Sequence, residues 1–368
     1  MKKKLIVFIL VVFVLINICL EYSSKHEFAP EDAVVSGTLV KKFKDRKKET
    51  KVPAAVFPYD DKYFTIMYIS CAPPTKILLT DDFDSYKELL TDENGLASYY
   101  LAGEMSEYIY WPELKYEQKC RNLYAFSKKS EKMKCIYSLT EDELVNKRLV
   151  FCGGNNDHVY FLKKNNMKET VEVIDYDLVL DEVAVIDSSN YSDSVDYSLK
   201  VNGNSLTMLT LDDDNHEVVR VIDLDTKDIK DTPIPKEIES PVYAAYDANR
   251  NMFAFISFSD AHKGVYLYDA GKQEVKSICE YTGHYECYEY KMDIKNGNIM
   301  WLQDKNDEGG VLSYNAIMMY NIETGKLEKI EKAFNYNFIN DNEFYYFTYP
   351  KNTDSYRVNM YKYNMKPE

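Results

Sequence analysis

The residue types that most often hold metal ions are sparse or poorly arranged in this chain. It has only five histidines among 368 residues, and they stand far apart. Residues 212–214 are three consecutive aspartates, and residues 304–309 match the first half of a calcium-binding loop if Glu308 replaces Asp or Asn. The twelfth position of that loop would be Asn315 instead of the chelating glutamate. We therefore expect no metal and no other cofactor.

Local motifs of nucleophilic and zinc-dependent hydrolysis are absent from the sequence. No G-x-S-x-G, H-E-x-x-H or C-x-x-C segment occurs. We therefore predict no catalytic residue from local spacing. A pair of carboxylates from distant segments, as in enzymes that cleave glycosidic bonds, stays open, because no local spacing reveals such a pair among 60 acidic residues.

Aromatic residues are abundant, with 33 Tyr, 17 Phe and 2 Trp. Several lie close to predicted turns, where exposed rings could bind a sugar or a peptide by stacking and burial. The candidate binding residues are Tyr108, Trp111, Tyr281, His284 and Tyr285. The competing interpretation is that rings within strands fill the space between packed sheets.

Six cysteines follow the N-terminal apolar run, and an even number permits disulfides. Sequence proximity suggests two local bridges, Cys279–Cys287 and Cys120–Cys135. Six cysteines allow fifteen connectivities, however, and a chain of this size does not need cross-links in order to fold. Free buried thiols remain the alternative.

The N-terminus has the features of an export segment. Three lysines at positions 2–4 precede sixteen uncharged residues, 5–20. This pattern predicts a signal anchor or signal peptide at residues 1–20, with the lysines in the cytoplasm and the rest of the chain outside. Because no small-residue cleavage site follows, we favour a single-pass anchor in the cell membrane; cleavage would give a secreted protein. Residues 21–35 are expected to be a linker.

An internal repeat predicts the elements that position these side chains. Each copy is a strand, a short polar turn and a second strand. The seven copies start at Ile77, Leu123, Val159, Val219, Val265, Ile317 and Val358. Their mean spacing of about 47 residues is typical of the four-stranded blades of a β-propeller. The sequence therefore predicts an all-β fold, a single propeller of about seven four-stranded blades over residues 36–368.

Two irregularities qualify this repeat. The gap before Val159 is 36 residues and the gap after it is 60, so the longer gap could contain an insertion or an eighth blade. The last copy has no second strand before the sequence ends. Because exposed sheet edges are a liability, we expect the strand-like segment 36–43 to pair with the last blade and close the ring.

Residues 320–326, Tyr-Asn-Ile-Glu-Thr-Gly-Lys, form a hairpin sequence common in propellers. With this hairpin, the repeat and the export segment, the chain resembles the bacterial extracytoplasmic β-propeller repeat proteins over about residues 36–368. The resemblance implies ligand or partner binding across one face of the ring more often than catalysis. We therefore expect a membrane-tethered, non-catalytic binding or scaffold module for a protein or an envelope glycan. The alternative is a carbohydrate-active hydrolase or lyase with carboxylates in the central funnel.

The charge balance excludes one class of partner. The chain has 45 basic and 60 acidic residues, a net charge of −15, and this excess repels a phosphate backbone. We therefore expect no nucleic-acid partner, and we expect contact with the membrane only through residues 5–20.

Overall fold

The structure is a computed structural model, and it describes most of the chain beyond the N-terminal segment. The described ranges are 33–42, 51–59, 61–69, 72–81, 83, 85–92, 96–97, 103–105, 107–115, 119–190, 200–258, 263–281, 285–305, 316–331, 333–348 and 359–365. The predicted anchor at residues 1–20 and most of the predicted linker lie outside them. Within these ranges, no helix has the length and apolar character needed to cross a bilayer.

Seven four-stranded blades follow one another along the chain. Two short strands precede them, β1 (Ala33–Val34) and β2 (Thr38–Lys42). Blade 1 consists of β3 (Lys51–Tyr59), β4 (Lys62–Ile69), β5 (Ala72–Thr80) and β6 (Lys87–Asp92). In blade 2 the first strand has two parts, β7 (Leu96–Ala97) and β8 (Gly103–Glu104), followed by β9 (Tyr108–Lys115), β10 (Lys119–Ser127) and β11 (Lys132–Ser138).

Helix α1 (Glu141–Asn146) leads into blade 3. Blade 3 consists of β12 (Lys147–Asn155), β13 (His158–Asn165), β14 (Thr170–Asp177) and β15 (Glu182–Asn190). Blade 4 consists of β16 (Lys200–Asn202), β17 (Ser205–Leu211), β18 (Glu217–Asp223) and β19 (Ile229–Pro233). Blade 5 consists of β20 (Pro241–Asp247), β21 (Met252–Phe258), β22 (Lys263–Asp269) and β23 (Glu274–Tyr281).

Blade 6 consists of β24 (Tyr285–Lys295), β25 (Asn298–Lys305), β26 (Ala316–Asn321) and β27 (Leu327–Glu331). Blade 7 supplies β28 (Ala333–Phe338), β29 (Glu343–Thr348) and β30 (Asn359–Asn364) from the C-terminal part of the chain. The prediction of an all-β propeller of four-stranded blades is therefore confirmed, and the number of blades is seven.

Both ends of the chain contribute to the last two blades. Strand β2, inside the segment 36–43, pairs antiparallel with β30, with Thr38 opposite Lys362 and Lys42 opposite Asn359. It is therefore the outermost strand of blade 7. Strand β1 pairs in parallel with β27 of blade 6, so the residues just before 36 also belong to a sheet.

The core consists of apolar layers between neighbouring blades. The layer that joins the two ends of the ring contains Val56 and Phe83 of blade 1 with Tyr345, Phe347 and Met360 of blade 7. Trp301 and other large side chains fill comparable layers between the other blades. The abundance of tyrosine and phenylalanine is therefore used mainly for packing between blades.

Aspartates at the ends of third strands explain the polar turns of the repeat. The Oδ1 atoms of Asp177, Asp223 and Asp269 each accept hydrogen bonds from the backbone N–H groups two and three residues later, at 2.8–3.1 Å. Such bonds stabilise a tight turn without glycine. The three aspartates stand 46 residues apart, so the turn cap recurs with the blade.

The uneven gaps around Val159 arise from a shift of one strand. Six of the seven repeat copies begin in or just before the third strand of their blade, whereas Val159 lies in β13, the second strand of blade 3. The third strand is β14, which contains Val171. Val171 is 48 residues from both Leu123 and Val219, so blade 3 has the regular length and no eighth blade is present between them.

Ring closure brings the backbone of Gly37 against β30. A Cβ atom at residue 37 would overlap the carbonyl oxygen of Lys362, and the Gly37 N–H donates to the Tyr346 hydroxyl at 2.7 Å. We expect Gly37→Ala to lower the free energy of unfolding by about 1–3 kcal/mol. Chemical denaturation measures this change. Gly271→Ala, where the nearest atom is 3.3 Å away, is the control and should cost less than about 0.5 kcal/mol; equal losses would contradict tight closure.

Candidate functional site

The first strands of neighbouring blades lie next to one another around the axis of the ring. Polar side chains on three of them form what we call the axial cluster, Lys200, Lys291, Asp293, Asn335 and Tyr336. Asp293 is its centre: Oδ1 lies 2.5 Å from Lys200 Nζ, and Oδ2 accepts a hydrogen bond from the Tyr336 hydroxyl at 2.8 Å. These two bonds tie blades 4, 6 and 7 together at the axis.

The Asp293 carboxylate is held in its charged form. Burial raises its pKa, but the charges of Lys200 and Lys291 and the hydrogen bonds from Lys200 and Tyr336 outweigh burial and leave the pKa below its usual range. Its negative charge and burial in turn raise the pKa of Tyr336, which therefore stays a hydroxyl donor. Each oxygen of the Asp293 carboxylate therefore has one hydrogen-bond donor from another blade.

Lys291 is the unusual cation of the axial cluster. Its Nζ donates to Asn335 Oδ1 at 2.9 Å and to the Tyr336 carbonyl oxygen, and it lies 4.4 Å from the centre of the Tyr336 ring. Burial lowers the pKa of Lys291 to about 7; Asp293 opposes this shift and Lys200 adds to it. The amine therefore loses its proton near neutral pH, unlike an exposed lysine.

Two glycines make room for a tyrosine at the edge of this cluster. A Cβ atom on Gly103 would overlap the Tyr110 ring, and one on Gly154 would overlap the Met105 side chain and crowd that ring. Burial raises the pKa of Tyr110 to about 12, while Lys200 and the Gly154 N–H lower it in part. Tyr110 therefore remains protonated beside the cluster.

Two carboxylates on described first strands have lysine partners. Asp293 is bonded to Lys200, and Glu104 Oε1 lies 2.5 Å from Lys128 Nζ. An acid and base pair for glycosidic cleavage needs two carboxyl groups able to contact a substrate and exchange protons. In the described part of the chain, no group of three or more His, Cys, Asp or Glu side chains could hold a metal ion. The axial cluster is therefore best suited to joining blades.

The structure places two predicted rim aromatics in the core. Trp111 is buried beside Phe64 and Tyr124, and Tyr281 is buried with its hydroxyl accepting a hydrogen bond from Trp301 Nε1 at 2.7 Å. Successive side chains of a strand point to opposite faces of the sheet, and at these two positions the ring packs against a neighbouring blade instead of facing solvent.

Of the other three predicted binding residues, one is half-buried, and the side chains of the other two lie outside the described residues. Tyr108 is half-buried on β9 and packs against the core of blades 2–4. His284 and the side chain of Tyr285 lie outside the described residues. Of the two that are buried, Trp111 belongs to the core of blades 1 and 2 and Tyr281 to the core of blades 5 and 6.

The cysteine pairings stay predictions, because the side chains of Cys120 and Cys287 lie outside the described residues. Cys135 is exposed on β11, opposite Tyr124, whereas Cys120 is opposite Leu114 and Leu149. Cys279 is buried in the core of blades 5 and 6. The register thus does not make Cys120 and Cys135 cross-strand neighbours.

Exposed apolar side chains are concentrated at blade 3. Among the described residues, nine large apolar side chains are exposed, and six of them belong to blade 3 or to α1, which leads into it. Four of these six, Val179, Leu180, Val183 and Val185, lie within residues 179–185, the β14–β15 turn and the start of β15, and are here called the blade 3 apolar surface. The other two, Val145 and Met167, lie at the opposite end of blade 3. No aromatic ring is among the nine.

A cavity of about 290 Å³ opens beside this surface, between turns of blades 3 and 4. Val179 and Leu180 line one side of it, and His158 and Lys227 line another. Both His158 Nδ1 and Lys227 Nζ contact the buried Asp175 carboxylate, at 2.7 and 3.0 Å. Its volume is near the lower end of the range found for small-ligand sites.

Comparison with known proteins gives the fold and no family. No protein-family model matches the chain, and no curated protein matches its sequence. A prolyl endopeptidase structure is similar with a TM-score of 0.56 and 10% identity over 86% of this chain, but the chain spans only 48% of that protein. The manganese complex of an oligogalacturonate lyase has a TM-score of 0.51 and 10% identity, covering 90% of this chain and 98% of that one.

The propeller domain of the Trilobed protease from Pyrococcus furiosus is also similar. Its TM-score is 0.53 at 11% identity, covering 88% of this chain and 97% of that domain. That propeller is described as having an open velcro topology, whereas here β2 completes blade 7. At these identities the similarity establishes the β-propeller fold alone.

The low pKa of Lys291 predicts a specific pH dependence of stability. The pKa is about 7 in the folded chain and about 10.4 when unfolded, so the unfolded chain binds more protons between these values. The free energy of unfolding should therefore rise from pH 7 to 10, by up to about 1.4 kcal/mol per pH unit from this group.

Denaturation at a series of pH values tests this dependence. Lys291→Met should remove the lysine's part of the slope, while Lys168→Met, a change in an exposed turn, should keep the wild-type slope. An unchanged slope in Lys291→Met would show that the amine keeps its proton throughout this range.

Proposed function

We propose that this chain is a membrane-tethered, extracytoplasmic β-propeller that acts as a non-catalytic binding module for a protein partner. The observation that supports this most is the concentration of exposed apolar side chains on the blade 3 apolar surface. Monomeric proteins expose apolar residues mostly singly, whereas a cluster of them is typical of a protein interaction site. In the described parts of the other blades, the exposed apolar side chains of this size are Leu39, Val40 and Ile229.

The chemistry of this surface favours a protein over an envelope glycan. Glycan sites stack sugar rings on aromatic side chains, and the exposed apolar residues described here are Val, Leu, Ile and Met. Aliphatic side chains bind by burial against other apolar side chains, which a protein partner supplies. The small cavity beside Val179 and Leu180 could accept one side chain of that partner.

The proposed location rests on the sequence of the N-terminus. Three lysines followed by an apolar run at residues 5–20 fit a membrane anchor with its N-terminus in the cytoplasm. Loss of those lysines from the exported part leaves a net charge near −18, which suits a soluble domain beside an anionic membrane. A partner in the same compartment is therefore the natural ligand of blade 3.

The enzyme alternative has less support from the described residues. A lyase and peptidases share this fold, but here Asp293 and Glu104 are each bonded to a lysine. Turnover of a glycan panel that is abolished by Asp293→Asn, with the fold intact, would establish the enzyme and contradict a purely binding role.

The proposed function predicts loss of partner binding when charge is placed in the turn between β14 and β15. We expect Val179→Asp with Leu180→Asp to reduce recovery of a cross-linked envelope partner at least tenfold. The two introduced carboxylates would have to lose their hydration when the apolar surface of the partner covers them. Quantitative mass spectrometry of cross-linked membranes measures the recovery. The matched control is Val145→Asp with Met167→Asp, on the same blade away from that turn. Equal recovery from wild type and the turn variant would contradict the proposal.

A further inference from the structure

The outer edges of the blades share one protective feature. Each blade ends in an outer strand, an edge that another chain could pair with if it is left open, and natural proteins commonly place lysine on such edges to prevent it. Six of the seven fourth strands contain lysine; these residues are Lys87 in β6, Lys132 and Lys134 in β11, Lys230 in β19, Lys276 in β23, Lys329 in β27, and Lys41 and Lys42 in β2. In addition, β1 covers β27.

Strand β15 of blade 3 is the exception. It contains no lysine, and its residues 183–186 are Val-Ala-Val-Ile. Val183 and Val185 are 51% and 56% exposed. Within the described part of the chain, β15 pairs only with β14, so the backbone of its first half has an outer side that no described strand covers.

Side-chain contacts hold both ends of this strand in place. Before it, Asp181 Oδ1 lies 2.5 Å from Lys134 Nζ of blade 2. After the apolar residues, Asp187 Oδ2 lies 3.0 Å from Arg220 Nη1 of blade 4, and Ser189 Oγ lies 3.1 Å from Thr210 Oγ1. The open segment between them, Glu182 to Ile186, is therefore already extended and needs little ordering to pair with another strand.

We propose that β15 binds an extended segment of the partner protein by strand addition. Backbone hydrogen bonds along residues 182–186 would supply affinity, and apolar side chains at alternate positions of the segment would pack on Val183 and Val185. This inference rests on the proposed function and gives its binding mode.

Charge defines the segment further. The open segment starts at Glu182, and the whole chain has a net charge of −15; the flanking Asp181 and Asp187 already bind Lys134 and Arg220. A lysine or arginine flanking the apolar residues of the partner segment would therefore be attracted to this edge. A second copy of this chain fits poorly, because it would bring a second net charge of −15 to this edge.

A random-peptide library displayed on phage and selected on the full chain in nanodiscs tests this proposal. We expect selected peptides to have apolar residues at alternate positions beside lysine or arginine. Each synthesised peptide should slow amide hydrogen exchange within residues 182–186. Val183→Lys with Val185→Lys should weaken its binding at least tenfold, because this change installs the protection that the other edges have.

The matched control is Val145→Lys with Met167→Lys, which adds the same charges to the same blade and should leave the affinity within about twofold. Peptides that protect other segments, peptides without the alternating pattern, or equal binding to both variants would overturn strand addition. So would concentration-dependent protection of residues 182–186 without peptide, which would assign the edge to a second copy.

The two proposals fail in different ways. If the β15 variant recovers the cross-linked envelope partner normally while the β14–β15 turn variant does not, the binding function stands and strand addition is refuted. If neither variant affects recovery, the binding function at blade 3 is refuted.

Discussion

The whole ring depends on the pairing of β2 with β30. Each of blades 1 to 6 has four strands from one continuous segment, but blade 7 receives only three from the C-terminal part of the chain. Thr38 and Lys362, which face each other, are 324 residues apart. Because loop-closure entropy grows only with the logarithm of length, joining them costs about 2 kcal/mol more than joining residues one blade apart. The apolar layer between blades 1 and 7 offsets that cost by removing two sheet faces from water.

The architecture could be predicted from the sequence because its determinants are local. The aspartates that cap the turns after third strands recur at the same position in blades 3, 4 and 5, beside apolar strand residues. The one misplaced copy, at Val159, shows the limit of this reasoning. Strands β13 and β14 both have an apolar pattern and a polar turn, so the pattern alone does not tell the second hairpin of a blade from the third.

The axial cluster could not be predicted, because its residues come from first strands of different blades. Asp293 meets Lys200 from more than ninety positions earlier and Tyr336 from more than forty later, and no spacing in the sequence relates them. Two of the predicted rim aromatics, Trp111 and Tyr281, are buried for a related reason. Whether Trp111 faces solvent or the next blade depends on the phase of its strand, which proximity to a turn does not reveal. The exposed edge of β15 was in principle visible as a strand without lysine, but only once its place at the edge was known.

The path of the N-terminal segment has a mechanical consequence. Residues 33–34 form the edge of blade 6 and residues 38–42 form the edge of blade 7, so the chain crosses from one blade to the next on the outside of the ring. A pulling force on the N-terminus is resisted first by two residues of β1 and then by β2. Loss of these two pairings would open the ring between blade 7 and blade 1, while blades 1 to 5 would keep all their strands. We therefore expect the ring to open first at this position when the N-terminus is pulled.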